Sequence, residues 1–184
     1  MKSLQLDKPH AIVVIGIQGS GKTFFAEKFA TTFKAPYIEQ AFFNGAARDA
    51  KAASDLFESV LAETLKTGKS IVVELANASR NDRLEIAKHL SKAGYELMLI
   101  WVQVDQETAM IRAKRASGVT QAEYREDSKR FMAPLQSEKP LVISGKHTFA
   151  SQAKVALKRL SPPRPAQKPS ERPQQAHRGQ IIVR

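Results

Sequence analysis

Apolar positions along the chain alternate between two rhythms. Short unbroken runs read as strands buried on both faces: AIVVI at 11–15, SIVVEL at 70–75, YELMLIWVQV at 95–104 and LVIS at 141–144, with PYIE at 36–39 as a shorter one. Helical spacing fills the intervals. Phe25, Phe29 and Phe33 recur every four residues in GKTFFAEKFATTF, and Ala53, Leu56, Phe57, Val60, Leu61 and Leu65 share one face of a helix over 47–66. RNDRLEIAKHLSKAG predicts a helix stopped by Gly94, and DQETAMIRAKRAS one opened by Asp105 as N-cap. TQAEYREDSKRFM has capping-box spacing at Thr120 and Glu123 with Pro134 just beyond, and TFASQAKVALKRL is the last helix.

Strands that alternate with helices and are apolar on both faces imply a parallel sheet covered on two sides. The expectation is a three-layer α/β domain over residues 8–160, without internal repeats, giving one unit at 1–160 and a basic tail at 161–184. Five prolines fall among residues 161–173, so the last helix cannot continue and the tail is expected to be disordered. Its GQIIVR ending carries three β-branched residues after a polar linker. Two readings stand: a frayed end, which is the plainer one, and a docking peptide for a protein partner.

Composition narrows the class. With 184 residues, 42% of them hydrophobic and 26% charged, the chain reads as globular and about one domain in size. No apolar run approaches the ~20 residues of a membrane span, and MKSLQLDKPH lacks the apolar stretch of a signal peptide. Cysteine is absent, which excludes disulfides, thiolate metal sites and a cysteine nucleophile. His10, His89, His147 and His177 are scattered without metal-ligand spacing. A cytoplasmic protein without membrane partners is the expectation. The net charge is +11, of which residues 161–184 carry +4 and residues 1–160 carry +7. Such a balance suits attraction of nucleic acid, nucleotides or anionic lipid, and serves equally well for solubility and a cationic phosphate site.

GIQGSGKT, residues 16–23, points to specific chemistry. It satisfies G-x-x-x-x-G-K-[ST] and lies between a strand and a helix, where such a loop cradles phosphates. Gly16, Gly19 and Gly21 let the backbone turn tightly around an anion, with Gln18 and Ser20 between them. The positive end of the following helix adds to the field. Lys22 is placed to reach the β- and γ-phosphates of a nucleotide and Thr23 to offer its hydroxyl to Mg²⁺, while the pattern itself does not name the base. The chain has no N-K-x-D segment for guanine and no L-S-G-G-Q, and it is short for a ring-forming ATPase.

Four stretches carry a family resemblance over residues 11–160: GIQGSGKTFFAEKFA, GKSIVVELANASRNDRLEIAKHLSKAGYELMLIWVQVD, ETAMIRAKRA and YREDSKRFMAPL. The sequence resembles the P-loop nucleoside and polynucleotide kinase-like group, AAA-type ATP-binding domains of the small kinase kind. The resemblance implies a five-stranded parallel sheet in the order 2-3-1-4-5, a helical lid and an ATP-dependent phosphotransferase. It leaves the acceptor open, because members phosphorylate small molecules, nucleosides or nucleic-acid ends.

The resemblance also implies roles. Glu74, ending SIVVE, stands where the family has an acidic residue, more often Asp, that holds Mg²⁺ or orients a nucleophile; a strand-end charge facing water is the alternative. Asn77 matches the family's Asn that positions substrate, or is a turn residue in ANAS. Arg112 and Arg115 match the lid arginines that clamp the transferring phosphate, or form a solvated basic face. Family members place an Asp base after the second strand. This chain has PYIEQAFFNGAARDA, with Ala41 near that place, so Glu39 is the nearest carboxylate and the expected base; Asp49 falls within the next predicted helix. Phe42 and Phe43 line an acceptor pocket or pack beneath the loop, and Arg48 holds an anionic acceptor or marks a helix start. The leading reading is transfer of the γ-phosphate of Mg·ATP to a hydroxyl of a small molecule or nucleoside. The rivals are a polynucleotide 5′-hydroxyl kinase and a weakly catalytic ATP-binding adaptor.

Overall fold

AIVVI becomes the middle strand of the sheet. In the computed structural model, which describes residues 6–161, β1 (His10–Ile15) lies between β3 (Ile71–Glu74) and β4 (Glu96–Gln103). β2 (Tyr37–Glu39) and β5 (Leu141–Ser144) form the edges, so the order is β2-β3-β1-β4-β5, with every pair parallel. The register sets Val14 beside Glu74 on one side and Ile100 on the other. The tail readings at 162–184, including GQIIVR and His177, lie outside the described residues.

Each face of the sheet has its own core, which is why the strands read as continuous apolar runs. Ile12, Val14, Val72 and Ile100 point to α1 (Lys22–Phe33) and α7 (Phe149–Leu160), against Phe25, Phe29 and Ala156. Ala11, Val13, Ile15 and Val73 point the other way, to α3 (Ala50–Leu65) and α4 (Arg80–Lys92), against Phe57, Leu61, Ile86 and Leu90. The lid elements α5 (Gln106–Ser117) and α6 (Gln121–Arg130) connect β4 to β5. Asp105 caps α5, and Thr120 with Glu123 forms the expected capping box on α6.

One element differs from its sequence reading. The chain after β2 turns directly into a short helix, α2 (Gln40–Ala46), and α3 starts only at Ala50. Asp49 is the cause of the late start. Its carboxylate accepts from Ala52 N at 2.8 Å, so it caps α3 instead of lying inside it. Ala53, Phe57, Leu61 and Leu65 are buried as expected, whereas Leu56 and Val60 face outward.

Arg83, a charged residue near the start of α4, is buried. Its Nε and Nη2 donate to the two oxygens of Glu138 at 2.6 and 3.0 Å, and Nη1 donates to Ala78 O and Met132 O. This fork ties the exit of the lid to the loop after β3. Arg83→Ala leaves the Glu138 carboxylate without its partner and is expected to cost ~3–5 kcal/mol, read as a lower denaturant midpoint at unchanged slope. The Arg83 hydrogen bond holds the Glu138 carboxyl below its ordinary value. That stabilisation is fully present above the ordinary glutamate pKa and is lost as pH falls through the depressed one.

Candidate active site

The site grows from the carboxyl ends of β1, β2 and β3. After β1 the chain turns through Gly19 (φ 77) and Gly21 (φ 95), left-handed values that suit glycine. Ser20 N closes the turn on Ile17 O at 3.1 Å. A Cβ on Gly19 would strike the Ala109 carbonyl of α5, so the lid packs directly on this loop. Five other helices have a side-chain cap (Asp49, Ser79, Asp105, Thr120 and Thr148), whereas the N-cap of α1, Gly21, like that of the short α2, supplies none. The orphan N–H groups of its first turn are therefore left for an anion. Ser20 Oγ and Gln18 Oε1 are buried in the loop without a protein partner. Orphaned polar atoms, bare helix N–H groups and Lys22 together fit a polyphosphate.

Glu74 is the hub. Its residue is only 2% exposed, so a strand-end charge facing water is excluded. Oε1 accepts from the Thr23 hydroxyl at 2.7 Å and lies 3.7 Å from Lys22 Nζ; Oε2 accepts from the Tyr37 hydroxyl at 2.7 Å. A buried carboxylate against the Thr hydroxyl of a phosphate loop is a hard oxygen donor set, and it fits a Mg²⁺ ion arriving with the nucleotide. Among the described residues no group of three His, Asp or Glu side chains forms a metal site on its own.

Glu39 lies directly opposite Glu74 in the β2–β3 register. It is half-buried, and its carboxyl is pushed up by desolvation first, then by the charges of Glu74 and Glu27, with Lys22 opposing. Gln40 follows it, and its Oε1 accepts from Ala76 N at 3.0 Å, which ties the start of α2 to the loop after β3.

The remaining sequence candidates are distributed around this centre. Asn77 takes a left-handed conformation (φ 42), which gives it a turn role in the loop between β3 and α4. Arg112 donates to Gly145 O at 2.9 Å, while Arg115 is exposed and forms no described hydrogen bond or ion pair. Phe43 packs edge-on against Phe57 in the core, and Phe42, 66% exposed, stands edge-on against Phe43. Arg48 points to solvent and pairs with its neighbour Asp49 at 3.2 Å.

Three contributors escaped the sequence reading. Tyr37 is the first. Its signal was present, since it shares a strand face with Glu39 two residues on. Gly145 is the second: it follows β5, and a Cβ there would collide with the Ser20 carbonyl. Gly145→Ala must therefore shift the phosphate loop, and is expected to weaken ATP binding at least ~10-fold by calorimetry, as misplacing a preorganised site does. The third is the pair Asp105–Lys146 at 2.6 Å, which joins the start of α5 to the loop after β5. Lys146 and the Thr108 donors hold the Asp105 carboxyl well below its ordinary value.

The sequence model of the family described as "AAA domain" matches residues 12–141. The chain belongs to this family. No curated protein sequence matches it. Solved structures similar to this AAA domain include a gluconokinase from Sinorhizobium meliloti 1021, with 17% identity, a TM-score of 0.63, and 83% of this chain and 91% of that one covered. The APS kinase CysC of Mycobacterium tuberculosis, solved with AMPPNP and APS, has 14% identity, a TM-score of 0.62, and coverage of 82% and 96%. Kti12 of Chaetomium thermophilum, solved with ADP-AlF3, has 15% identity, a TM-score of 0.62, and coverage of 80% and 96%. At these identities the likeness shows a shared fold. No helix among the described residues of the AAA domain is long and apolar enough to cross a membrane.

Proposed function

We propose that this AAA domain is a small P-loop kinase that moves the γ-phosphate of ATP to a hydroxyl acceptor, a small molecule or nucleoside. The observation that carries the reading is the pairing of Glu39 with Glu74. One carboxylate is fully buried and engaged with the Thr23 hydroxyl; its strand neighbour is half-exposed and has a raised pKa. Environments that separate two carboxylates in this way divide the labour between them. A nearby gluconokinase and an APS kinase on the same fold point the same way.

In this reading the loop 16–23 grips the polyphosphate through backbone N–H groups, and Lys22 neutralises charge on the β- and γ-oxygens. Thr23 and Glu74 would hold a Mg²⁺ ion brought with the nucleotide, which when bound would supply electrostatic stabilisation to the phosphates. Glu39 accepts the proton of the acceptor hydroxyl, whose oxygen bonds to the γ-phosphorus while the bond to the β–γ bridging oxygen breaks. Arg112 and Arg115 close over the transferring group with the lid, which excludes water and suppresses hydrolysis. In the structure Arg112 rests on Gly145 O, so its role requires that bond to be exchanged for phosphate. Phe42, Arg48 and Asn77 border the acceptor side.

The charge of +11 favours a second acceptor class, a nucleic-acid 5′ end. A test with γ-labelled ATP, supplying a 5′-hydroxyl oligonucleotide and a small-metabolite fraction separately, chooses between the two. Label in the metabolite fraction alone supports the leading reading. Label on the oligonucleotide, with binding that falls steeply as salt rises, replaces it with the polynucleotide one. Binding of ATP without transfer to either leaves the adaptor reading in its place.

A further inference from the structure

The proposed reaction uses Thr23, Lys22, Glu39 and Glu74 but gives no task to the side chain that touches Glu74 from the other side. Tyr37 opens β2 and packs its ring against the core cluster built by Phe25, Phe29 and Val72. The register places it beside Val72, two residues upstream of Glu74 on the neighbouring strand, so the phenol spans a diagonal and delivers its hydroxyl to Glu74 Oε2 at 2.7 Å.

We propose that Tyr37 is a positioning residue for the metal-holding carboxylate: its hydroxyl clamps Oε2 of Glu74, so that Oε1 stays aimed at Thr23 and Lys22. The inference rests on the metal role given above to Thr23 and Glu74, and it is independent of the acceptor.

The physical case has three parts. A Glu side chain is one carbon longer than Asp and has an extra rotor, so at this position it needs something to fix its carboxylate plane. The other neighbours cannot do so. Lys22 Nζ and the Thr23 hydroxyl both approach Oε1, and Glu39, opposite, repels the carboxylate. Tyr37 is the one described donor to Oε2, and packing of its ring leaves the hydroxyl little freedom. Of the pair, the phenol carries the O–H and the carboxylate only accepts, so Tyr37 is the donor. Groups that orient a metal-holding side chain in this manner typically control metal affinity ~10–100-fold.

The test uses the full chain and Tyr37→Phe, which keeps the ring in the core and removes only the donor. Mn²⁺ binding in the presence of ADP is followed by the electron paramagnetic resonance signal of free Mn²⁺. The expected result is a Kd for Mn²⁺ weaker by ~10–100-fold, with ADP binding in EDTA unchanged. Glu74→Gln and the double variant complete a cycle: once Glu74 is changed, removing the Tyr37 hydroxyl should cost nothing further. A tyrosine that merely fills the core would lower the melting temperature and leave Mn²⁺ affinity unchanged, which overturns the proposal. Additive losses in the cycle overturn it as well, and so does a wild-type chain that holds no Mn²⁺ with ADP. If Mn²⁺ binding weakens as expected while no phosphate moves to any acceptor, the clamp stands and the kinase reading falls.

Discussion

Glu39→Gln is expected to lower phosphate transfer by ~10²–10⁴-fold, the range lost when a positioned general base is removed, and at the same time to raise the melting temperature at neutral pH. The two effects have one origin. Glu39 ends β2 beside the buried Glu74, where desolvation and the Glu74 and Glu27 charges make its ionised form costly. Its pKa is therefore higher in the folded chain than in the unfolded one. A group shifted in that direction favours folding most below its unfolded pKa, and the advantage is lost as pH rises through the folded value. At neutral pH the ionised Glu39 opposes folding, and the neutral amide of the variant does not. The stability difference between variant and wild type should shrink as pH falls towards the acid range. Activity carries the matching signature. The wild-type rate climbs with pH through the raised Glu39 pKa, and that limb disappears in the variant. Thermal melts across pH, together with the pH profile of transfer, check both halves. A variant that loses rate but is less stable at neutral pH would show Glu39 to be a structural group.

Lys22→Ala is expected to reduce transfer by ~10³-fold, as removing a preorganised charge-stabilising donor does, and to weaken ATP binding, but here stability should fall. Lys22 Nζ is 3.7 Å from Glu74 Oε1, and its side chain is 13% exposed beside a carboxylate side chain that is 3% exposed. Among the described residues no other cation lies within ion-pair distance of Glu74. Taking the lysine away leaves a buried carboxylate with two hydroxyl donors and no counter-charge, a strongly unfavourable arrangement. The opposite signs of the stability changes in the two variants separate a residue that grips phosphate from one that waits for a proton. Calorimetric ATP titration and thermal melts measure them side by side.

Much of this arrangement was legible in the sequence because it depends on local spacing. The phosphate loop is a fixed motif, Glu74 follows a run of apolar residues at a strand end, and the capping residues Asp105 and Thr120 announce their helices. The sheet order came from the family resemblance, and the register of β2 against β3 bears it out. What stayed hidden depends on contacts between distant segments. Arg83 and Glu138 are separated by 55 positions, and an arginine on a helix reads as solvated until the fold encloses it. Tyr37 shares a strand face with Glu39, but the Glu74 carboxylate it meets lies 37 positions away, beyond what local spacing shows. Asp49 was read as part of a helix because the apolar face of 47–66 masks where the cap must fall, and the helix at Gln40–Ala46, only 7 residues long, is too short to show a period.

The central claim is that the γ-phosphate leaves ATP for a hydroxyl and not for water. The most direct measurement is the partition of label from γ-labelled ATP between acceptor and free phosphate, in the presence of the small-metabolite fraction, for wild type, Lys22→Ala and Glu39→Gln. The account predicts label on an acceptor in the wild type and its loss in both variants. Label that appears only as slowly released phosphate, or transfer that is undiminished in Glu39→Gln, would contradict it.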